Sequence, residues 1–126
     1  KDVSPFENWY KIVYYDLDKF NIRQDALETM EEVVAFLKEN PQVKISISSH
    51  TDSRATKEYN EKLSENRSKT IKKFLQDHDI PKQQIGTVTW SGEGVLVNKC
   101  GDEDPCTEEM HQLNRRTEIT VNGILK

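Results

Sequence analysis

The spacing of apolar residues changes between residues 25 and 49, and this change constrains the class of fold. From Leu27 to Leu37 the apolar positions follow steps of 3, 3, 1 and 3 residues, which places them on one face of a helix. From Val43 to Ile47 apolar and polar residues alternate, as in a strand with one buried face. A helix is therefore followed at once by a strand, with Pro41 between them.

The same two periods recur along the rest of the chain. Residues 9–18 are rich in aromatic and β-branched side chains and predict a first strand, while residues 56–77 predict a second long helix. Further strands are predicted at 85–94 and 116–121, with a short helix before the last one. The order β-α-β-α-β-(α)-β predicts an α+β fold, a two-layer sandwich in which two long helices back a mixed four-stranded sheet.

Composition restricts the possible functions. The chain has 126 residues, of which 34% are hydrophobic and 32% charged, so we expect a single domain over residues 1–126. The formal net charge of -4 disfavours binding to nucleic acid. No apolar run approaches the roughly 18 residues of a membrane-spanning helix, so the domain itself is not expected to insert into a membrane. Because it begins at Lys1 without a leader, we expect a processed protein or an excised domain.

The two cysteines, Cys100 and Cys106, lie close together in the polar segment 95–109. They predict a local disulfide, with free thiols or a share in a metal site as the alternatives. A disulfide implies an oxidising compartment such as the periplasm. The three histidines are scattered along the sequence, so we expect neither a metal site nor a cofactor.

One arginine lies on the apolar stripe of the second predicted helix. Steps of three or four residues connect the members of this stripe, which are Asn60, Leu63, Arg67, Ile71 and Phe74. A guanidinium is rarely buried without a partner, because removing its water costs several kcal/mol. Arg67 is therefore either a structural residue that pairs within the core or a binding residue at the edge of the core.

Asp52 follows the strand 43–49 closely, in the loop that leads to the helix of Arg67. Because the start of that helix stays near the end of the strand, we expect Asp52 and Arg67 at the same rim. Asp52 alone is typical of a turn or a helix cap. Together the two side chains can bind a zwitterion, with its ammonium on Asp52 and its carboxylate on the planar guanidinium.

Residues 49–67 also resemble the signature of the OmpA-like peptidoglycan-binding domain, a family that includes peptidoglycan-associated lipoproteins and MotB. The segment Asn114–Ile119, with the sequence NRRTEI, is similar to the family's Asn-Arg-Arg before the last strand, and the resemblance covers about residues 9–122. The sequence departs from the family at two places. The residue after the helix arginine, usually a small one in the family, is Ser68 here, and the segment 95–109 is longer and is interpreted as a loop insertion stapled by its cysteines. The signature residues occur in the family's order: His50, Thr51, Asp52, Tyr59, Asn60, Leu63, Ser64 and Arg67.

The resemblance implies a noncatalytic module that binds the diaminopimelate residue of the peptidoglycan stem peptide. Asp52 would bind its ammonium and Arg67 its carboxylate. Arg115 and Arg116 also fit structural ion pairs at the start of the last strand. The remaining residues that the resemblance places at or near the pocket are Thr51, Asn60, Leu63 and Arg116.

The implied protein is periplasmic and is attached to the outer membrane of a Gram-negative bacterium. A β-barrel, a lipid anchor or another domain before Lys1 would supply that attachment. The resemblance implies no enzymatic activity. The alternative function is a protein-interaction domain of the same fold that no longer binds the cell wall.

Overall fold

The chain folds into a four-stranded sheet packed against helices. This computed structural model describes residue 6 and residues 8–52, 56–91 and 106–125. Two 3₁₀ helices, Gln24–Ala26 and Lys82–Gln84, precede the first helix and the third strand. The remaining elements, in chain order, are β1 (Tyr10–Tyr14), α1 (Leu27–Glu39), β2 (Val43–Ser49), α2 (Lys57–Asp77), β3 (Ile85–Trp90), α3 (Glu108–Gln112) and β4 (Arg116–Ile124). This order confirms the predicted α+β fold.

The sheet is mixed, with the strand order β1-β4-β2-β3. Strand β4 runs antiparallel to both β1 and β2, whereas β2 and β3 are parallel. The C-terminal ends of β1, β2 and β3 therefore meet at the start of β4. Ser49 marks this end of the sheet, because it pairs with Thr117 on one side and with Trp90 on the other.

Strand β2 is the central strand of the core. Its alternate residues Val43, Ile45 and Ile47 are fully buried, as the alternating pattern predicts. They pack with side chains from both long helices and from the neighbouring strands. The fully buried members on the two helices are Met30, Val33 and Leu37 on α1 and Ile71 and Leu75 on α2.

Three details differ from the sequence prediction. Strand β1 ends at Tyr14 rather than at residue 18, and β4 continues to Ile124. On α2 the buried stripe ends with Leu75, not Phe74, because Phe74 is only partly buried and stacks on His78 with ring centroids 4.1 Å apart. A residue one position further along the helix thus faces the core.

Part of the chain lies outside the described residues. Cys106 is engaged rather than free, but Cys100 is not among the described residues, so the predicted disulfide between them stays a prediction. The predicted loop insertion 95–109 also lies mostly outside them. Within the described ranges, no helix combines the length and the apolar character needed to cross a membrane.

A buried glutamine connects the end of α1 to the sheet. Gln84 is only 2% exposed. Its side-chain nitrogen lies 3.1, 3.0 and 3.1 Å from the carbonyl oxygens of Leu37, Asn40 and Val43. The last carbonyls of a helix have no partner within the helix, so this amide supplies a donor to Leu37 in the last turn of α1, whereas the Asn40 carbonyl also accepts from the backbone N–H of Val43 over 2.9 Å.

We expect Gln84→Met to lower the free energy of unfolding by about 1–3 kcal/mol, because it removes the side-chain donor of the Leu37 carbonyl at the end of α1. Urea denaturation followed by circular dichroism measures the change. Gln83→Met is the matched control, since the neighbouring Gln83 is exposed. Equal stabilities of the two variants would contradict the role of Gln84.

Candidate functional site

The candidate site lies at the end of the sheet where three strands finish and β4 begins. The loop after β1 supplies Leu17 and Asp18, and the loop after β2 supplies Thr51 and Asp52. Helix α2 crosses this end of the sheet and brings Arg67 to it. Two loops and one helix therefore meet here because of the mixed strand order.

Arg67 is fully buried and is bound to three backbone carbonyl groups. Its Nε donates to Lys19 over 2.8 Å, its Nη1 to His50 over 2.8 Å and its Nη2 to Asp16 over 3.3 Å. Its guanidinium also lies over the ring of Tyr15, 4.5 Å from the ring centroid. The partners of Arg67 are thus the loops after β1 and β2, which gives this arginine a structural role.

The environment of Arg67 leaves it charged. Burial lowers the pKa of Arg67 to about 10, and the positive charge of Arg115 acts in the same direction while Tyr15, Asp52 and Asp18 oppose it. A guanidinium with that pKa is still protonated at neutral pH. Of its five N–H groups, three are used by the carbonyls, so one hydrogen on each terminal nitrogen remains for another acceptor.

Asp52 is also buried, and its carboxylate forms an ion pair with Arg115. The distance from Arg115 Nη1 to Asp52 Oδ2 is 3.0 Å, and each side chain is only 4% exposed. Arg115 has further acceptors: its Nε donates to the Tyr15 carbonyl, and its Nη2 contacts Glu108 at 2.7 Å and Gln112 at 2.8 Å. Arg115 therefore links the site to α3.

The adjacent arginine, Arg116, contacts Glu118 instead of the groups around Asp52. Arg116 Nε lies 2.6 Å from Glu118, a residue of the same strand, and Arg116 is not among the residues that line the recess described next. Of the two adjacent arginines, Arg115 lines the recess, and the predicted place of Arg116 near the pocket stays a prediction. Neighbouring residues of an extended chain project to opposite sides, and the motif with two adjacent arginines does not indicate which one faces the site.

A small recess joins these side chains. Its volume of about 10 Å³ is room for about one water molecule. The lining includes the five remaining predicted residues, Thr51, Asp52, Asn60, Leu63 and Arg67. The sequence prediction missed the other three, Leu17, Asp18 and Arg115, of which Asp18 stands out on the backbone by its positive φ of 60°.

A chain of buried hydroxyl groups, here called the hydroxyl chain, lies beneath the recess. It connects Tyr15 to Thr117 over 2.7 Å, Thr117 to Ser49 over 2.6 Å and Ser49 to Ser68 over 2.7 Å. Ser68 Oγ also lies 2.7 Å from the carbonyl oxygen of Thr89. The hydroxyl chain thus connects β2, β3, β4 and the residue after β1 with α2, and the ring of Tyr15 at one end lies under the guanidinium of Arg67.

One link of the hydroxyl chain has a defined direction. Ser68 Oγ donates towards both Ser49 Oγ and the carbonyl oxygen of Thr89. In the contacts that Thr117 makes with Ser49 and with Tyr15, either hydroxyl can donate. Burial raises the pKa of Tyr15, although the hydrogen bond with Thr117 and the charge of Arg67 lower it. The phenol therefore stays protonated at neutral pH.

His50 lies beside the recess, with its imidazole on the side of Arg116. Its Nδ1 is 2.6 Å from Ser91 Oγ, and its Nε2 is 3.1 Å from Ser48 Oγ. Burial lowers the pKa of His50 to about 4, and the charge of Arg116 adds to this while Glu118 opposes it. An imidazole with so low a pKa is a weak general base at neutral pH, so the contact with Ser91 does not favour nucleophilic catalysis.

No metal centre accompanies the recess within the part of the chain that the structure describes. There, no group of three or more His, Cys, Asp and Glu side chains is placed to hold a metal ion. The ionic groups at the recess are instead arranged as two carboxylates, Asp18 and Asp52, and two guanidiniums, Arg67 and Arg115.

Comparison with known proteins gives one family. The OmpA family matches residues 14–109 of the chain. A peptidoglycan-associated lipoprotein of Brucella melitensis biotype 1 is 33% identical over 111 residues, which cover 88% of this chain and 62% of that protein. A peptidoglycan-associated lipoprotein of Pasteurella multocida is 31% identical over 95 residues, 75% of this chain and 63% of its own length. The chain thus spans less than two thirds of the length of these curated relatives.

Solved structures agree with the fold. The crystal structure of the peptidoglycan-associated lipoprotein from Burkholderia pseudomallei has a TM-score of 0.78 at 25% identity, and the match covers 89% of this chain and 90% of that one. The C-terminal domain of Helicobacter pylori MotB has a TM-score of 0.75 at 18% identity, with 89% and 84% covered. The second likeness shows the fold alone.

We expect Thr117→Val to lower the free energy of unfolding by about 2 kcal/mol, because it removes the partner of the Tyr15 hydroxyl and one of the two partners of the Ser49 hydroxyl. Thr120→Val is the matched control: the same substitution on the same strand, at an exposed position. Urea denaturation of both variants measures the difference. Equal effects would show that the hydroxyl chain contributes nothing to stability.

The lowered pKa of His50 predicts a loss of stability in acid. The unfolded chain binds the proton near the ordinary value of 6.5, whereas the folded chain binds it only near 4. The contribution of His50 is therefore fully present above pH 6.5 and is lost as the pH falls towards 4. We expect the urea midpoint of His50→Gln to fall less between pH 7 and pH 4 than that of the wild-type protein. An NMR titration midpoint of His50 near pH 6.5 in the folded protein would contradict this.

Proposed function

We propose, from the premise that this chain belongs to the OmpA family, that its domain is a noncatalytic module that binds peptidoglycan. In this proposal the module anchors the protein that carries it to the cell wall. The observation that carries the proposal is the recess, where two carboxylates and two guanidiniums converge on one small space. Such a set of groups suits a ligand that carries one positive and one negative charge.

The ligand that we propose is the free end of diaminopimelate in the stem peptide. This end carries an ammonium and a carboxylate on one carbon atom. The ammonium binds the carboxylate of Asp52, and the carboxylate accepts the two remaining N–H groups of Arg67 in a bidentate arrangement. Asn60 and Thr51 supply neutral hydrogen-bonding groups around them, and Leu63 packs against the aliphatic part of the ligand.

The recess has to open to admit this ligand. It has room for about one water molecule, and Asp52 already has Arg115 as its partner. The most accessible part of its wall is the loop after β1, where Leu17 is 44% exposed. When the ligand ammonium replaces Arg115 on Asp52, Arg115 keeps its contacts with Glu108 and Gln112. No charge is then left buried without a partner.

The relatives support the anchoring role and the compartment. The matched proteins of Brucella and Pasteurella are named for their association with peptidoglycan and for their lipid attachment. We accordingly place this domain in the periplasm, in a protein attached to the outer membrane of a Gram-negative bacterium. The attachment itself, whether lipid or β-barrel, is proposed to lie outside these 126 residues, and residues 1–126 form a single domain.

The second candidate function is a protein-interaction domain that has kept the fold and lost cell-wall binding. It is favoured by one observation, that the charges of the recess already pair with one another and with the backbone. The two functions differ in one measurable property, which is saturable binding of a stem peptide.

We expect a stem peptide that contains diaminopimelate to bind in a calorimetric titration, and the same peptide with lysine in that position to bind at least tenfold more weakly. Lysine lacks the carboxylate that Arg67 binds. We expect Asp52→Asn to lower the affinity for the diaminopimelate peptide about 10- to 100-fold, the value of a charge-assisted hydrogen bond. Asn keeps nearly the same shape and can still accept from Arg115.

The matched control is Asp77→Asn, which removes the same charge at an exposed position near the end of α2. Circular dichroism shows whether each variant is folded. Arg67→Ala is a poor test, because it also removes the donors of three backbone carbonyls and is expected to destabilise the fold. Equal binding of both peptides, or a flat titration with folded wild-type protein, would favour the protein-interaction domain.

A further inference from the structure

A shallow groove lies directly beside the recess. Its volume is about 160 Å³, so it is far larger than the recess. Asp18 and Leu63 line both spaces, and the groove is therefore adjacent to the recess. Its remaining lining residues are Phe20, Tyr59, Lys62 and Asn66.

The walls of the groove are apolar and accessible. Phe20 is 46% exposed and Tyr59 is 45% exposed. Desolvation, together with the negative charge of Asp18 and its hydrogen bond with the phenol, raises the pKa of Tyr59. The phenol of Tyr59 thus lies close to Asp18, which lines both the groove and the recess. Large apolar side chains at the rim of a polar recess are typical of a binding surface.

The groove has a negative end and a positive end. Asp18 lies at the end that it shares with the recess, whereas Lys62 lines the groove but not the recess. Lys62 forms an ion pair with Glu65 at 3.6 Å, but its side chain is 66% exposed. Exposed pairs of this kind are weak and can exchange for another partner. The ammonium of Lys62 is thus available to a carboxylate at the outer end of the groove.

We propose that this groove binds the stem-peptide residue that follows diaminopimelate, a D-alanine with a free C-terminal carboxylate. The inference rests on the proposed function. Four carbon–carbon bonds separate the two ends of diaminopimelate and span about 5 Å, so the peptide chain leaves the recess beside the groove. The methyl group of D-alanine packs between Tyr59 and Leu63, and its carboxylate pairs with Lys62.

The test compares two tetrapeptides, L-Ala-γ-D-Glu-diaminopimelate-D-Ala as the free acid and as the C-terminal amide. We expect wild-type protein to bind the acid roughly three- to fivefold more tightly than the amide, the effect of one exposed ion pair. Calorimetry at low ionic strength measures both affinities, and this preference shrinks as salt is added. In Lys62→Met the acid and the amide bind equally.

Lys69→Met is the matched control, because Lys69 pairs with the same Glu65 on the same helix but does not line the groove. This variant keeps the preference for the acid. Equal binding of acid and amide by wild-type protein overturns the role of the groove and leaves the recess intact. Loss of the preference in Lys69→Met also overturns it. Absence of binding by either peptide overturns the proposed function and, with it, this inference.

Discussion

The burial of one guanidinium is the constraint on which this end of the structure depends. Removing the water from a charged group costs several kcal/mol, and only a complete set of partners offsets that cost. Arg67 takes its partners from the loops after β1 and β2 and from the ring of Tyr15. The conformation of these loops and the burial of Arg67 therefore require each other. The walls of the recess follow from this mutual dependence.

The pairing of charges inside the recess also bears on selectivity. With Asp52 on Arg115 and Arg67 on backbone carbonyls, the buried charges are satisfied without a ligand. A ligand with only an ammonium would displace Arg115 from Asp52 and gain nothing from Arg67, and a ligand with only a carboxylate would meet Arg67 beside the negative charge of Asp52. A zwitterion contacts both Asp52 and Arg67. Under the proposed function, the internal ion pair thus makes singly charged ligands bind more weakly than a zwitterion.

Much of the fold follows from the period of apolar residues, because long helices and alternating strands differ clearly in that period. The placement of Asp52 and Arg67 at one rim follows from the geometry of a strand, a loop and a helix. The choice of Arg115 over Arg116 does not, since adjacent arginines differ only in the side to which they project. Gln84 and Tyr15 were also not singled out, because their roles depend on carbonyl and hydroxyl groups far away in the sequence.

The hydroxyl chain has an evolutionary consequence. Its members lie after β1, on β2, on β4 and on α2, and each hydroxyl is hydrogen-bonded to the next. Loss of one hydroxyl leaves its neighbours unsatisfied, whereas replacement of adjacent members by apolar groups of similar shape can be nearly neutral. These positions should therefore covary among relatives of this chain. Some lineages would keep the whole polar set and others would replace it as a unit, although the residues are up to 102 positions apart.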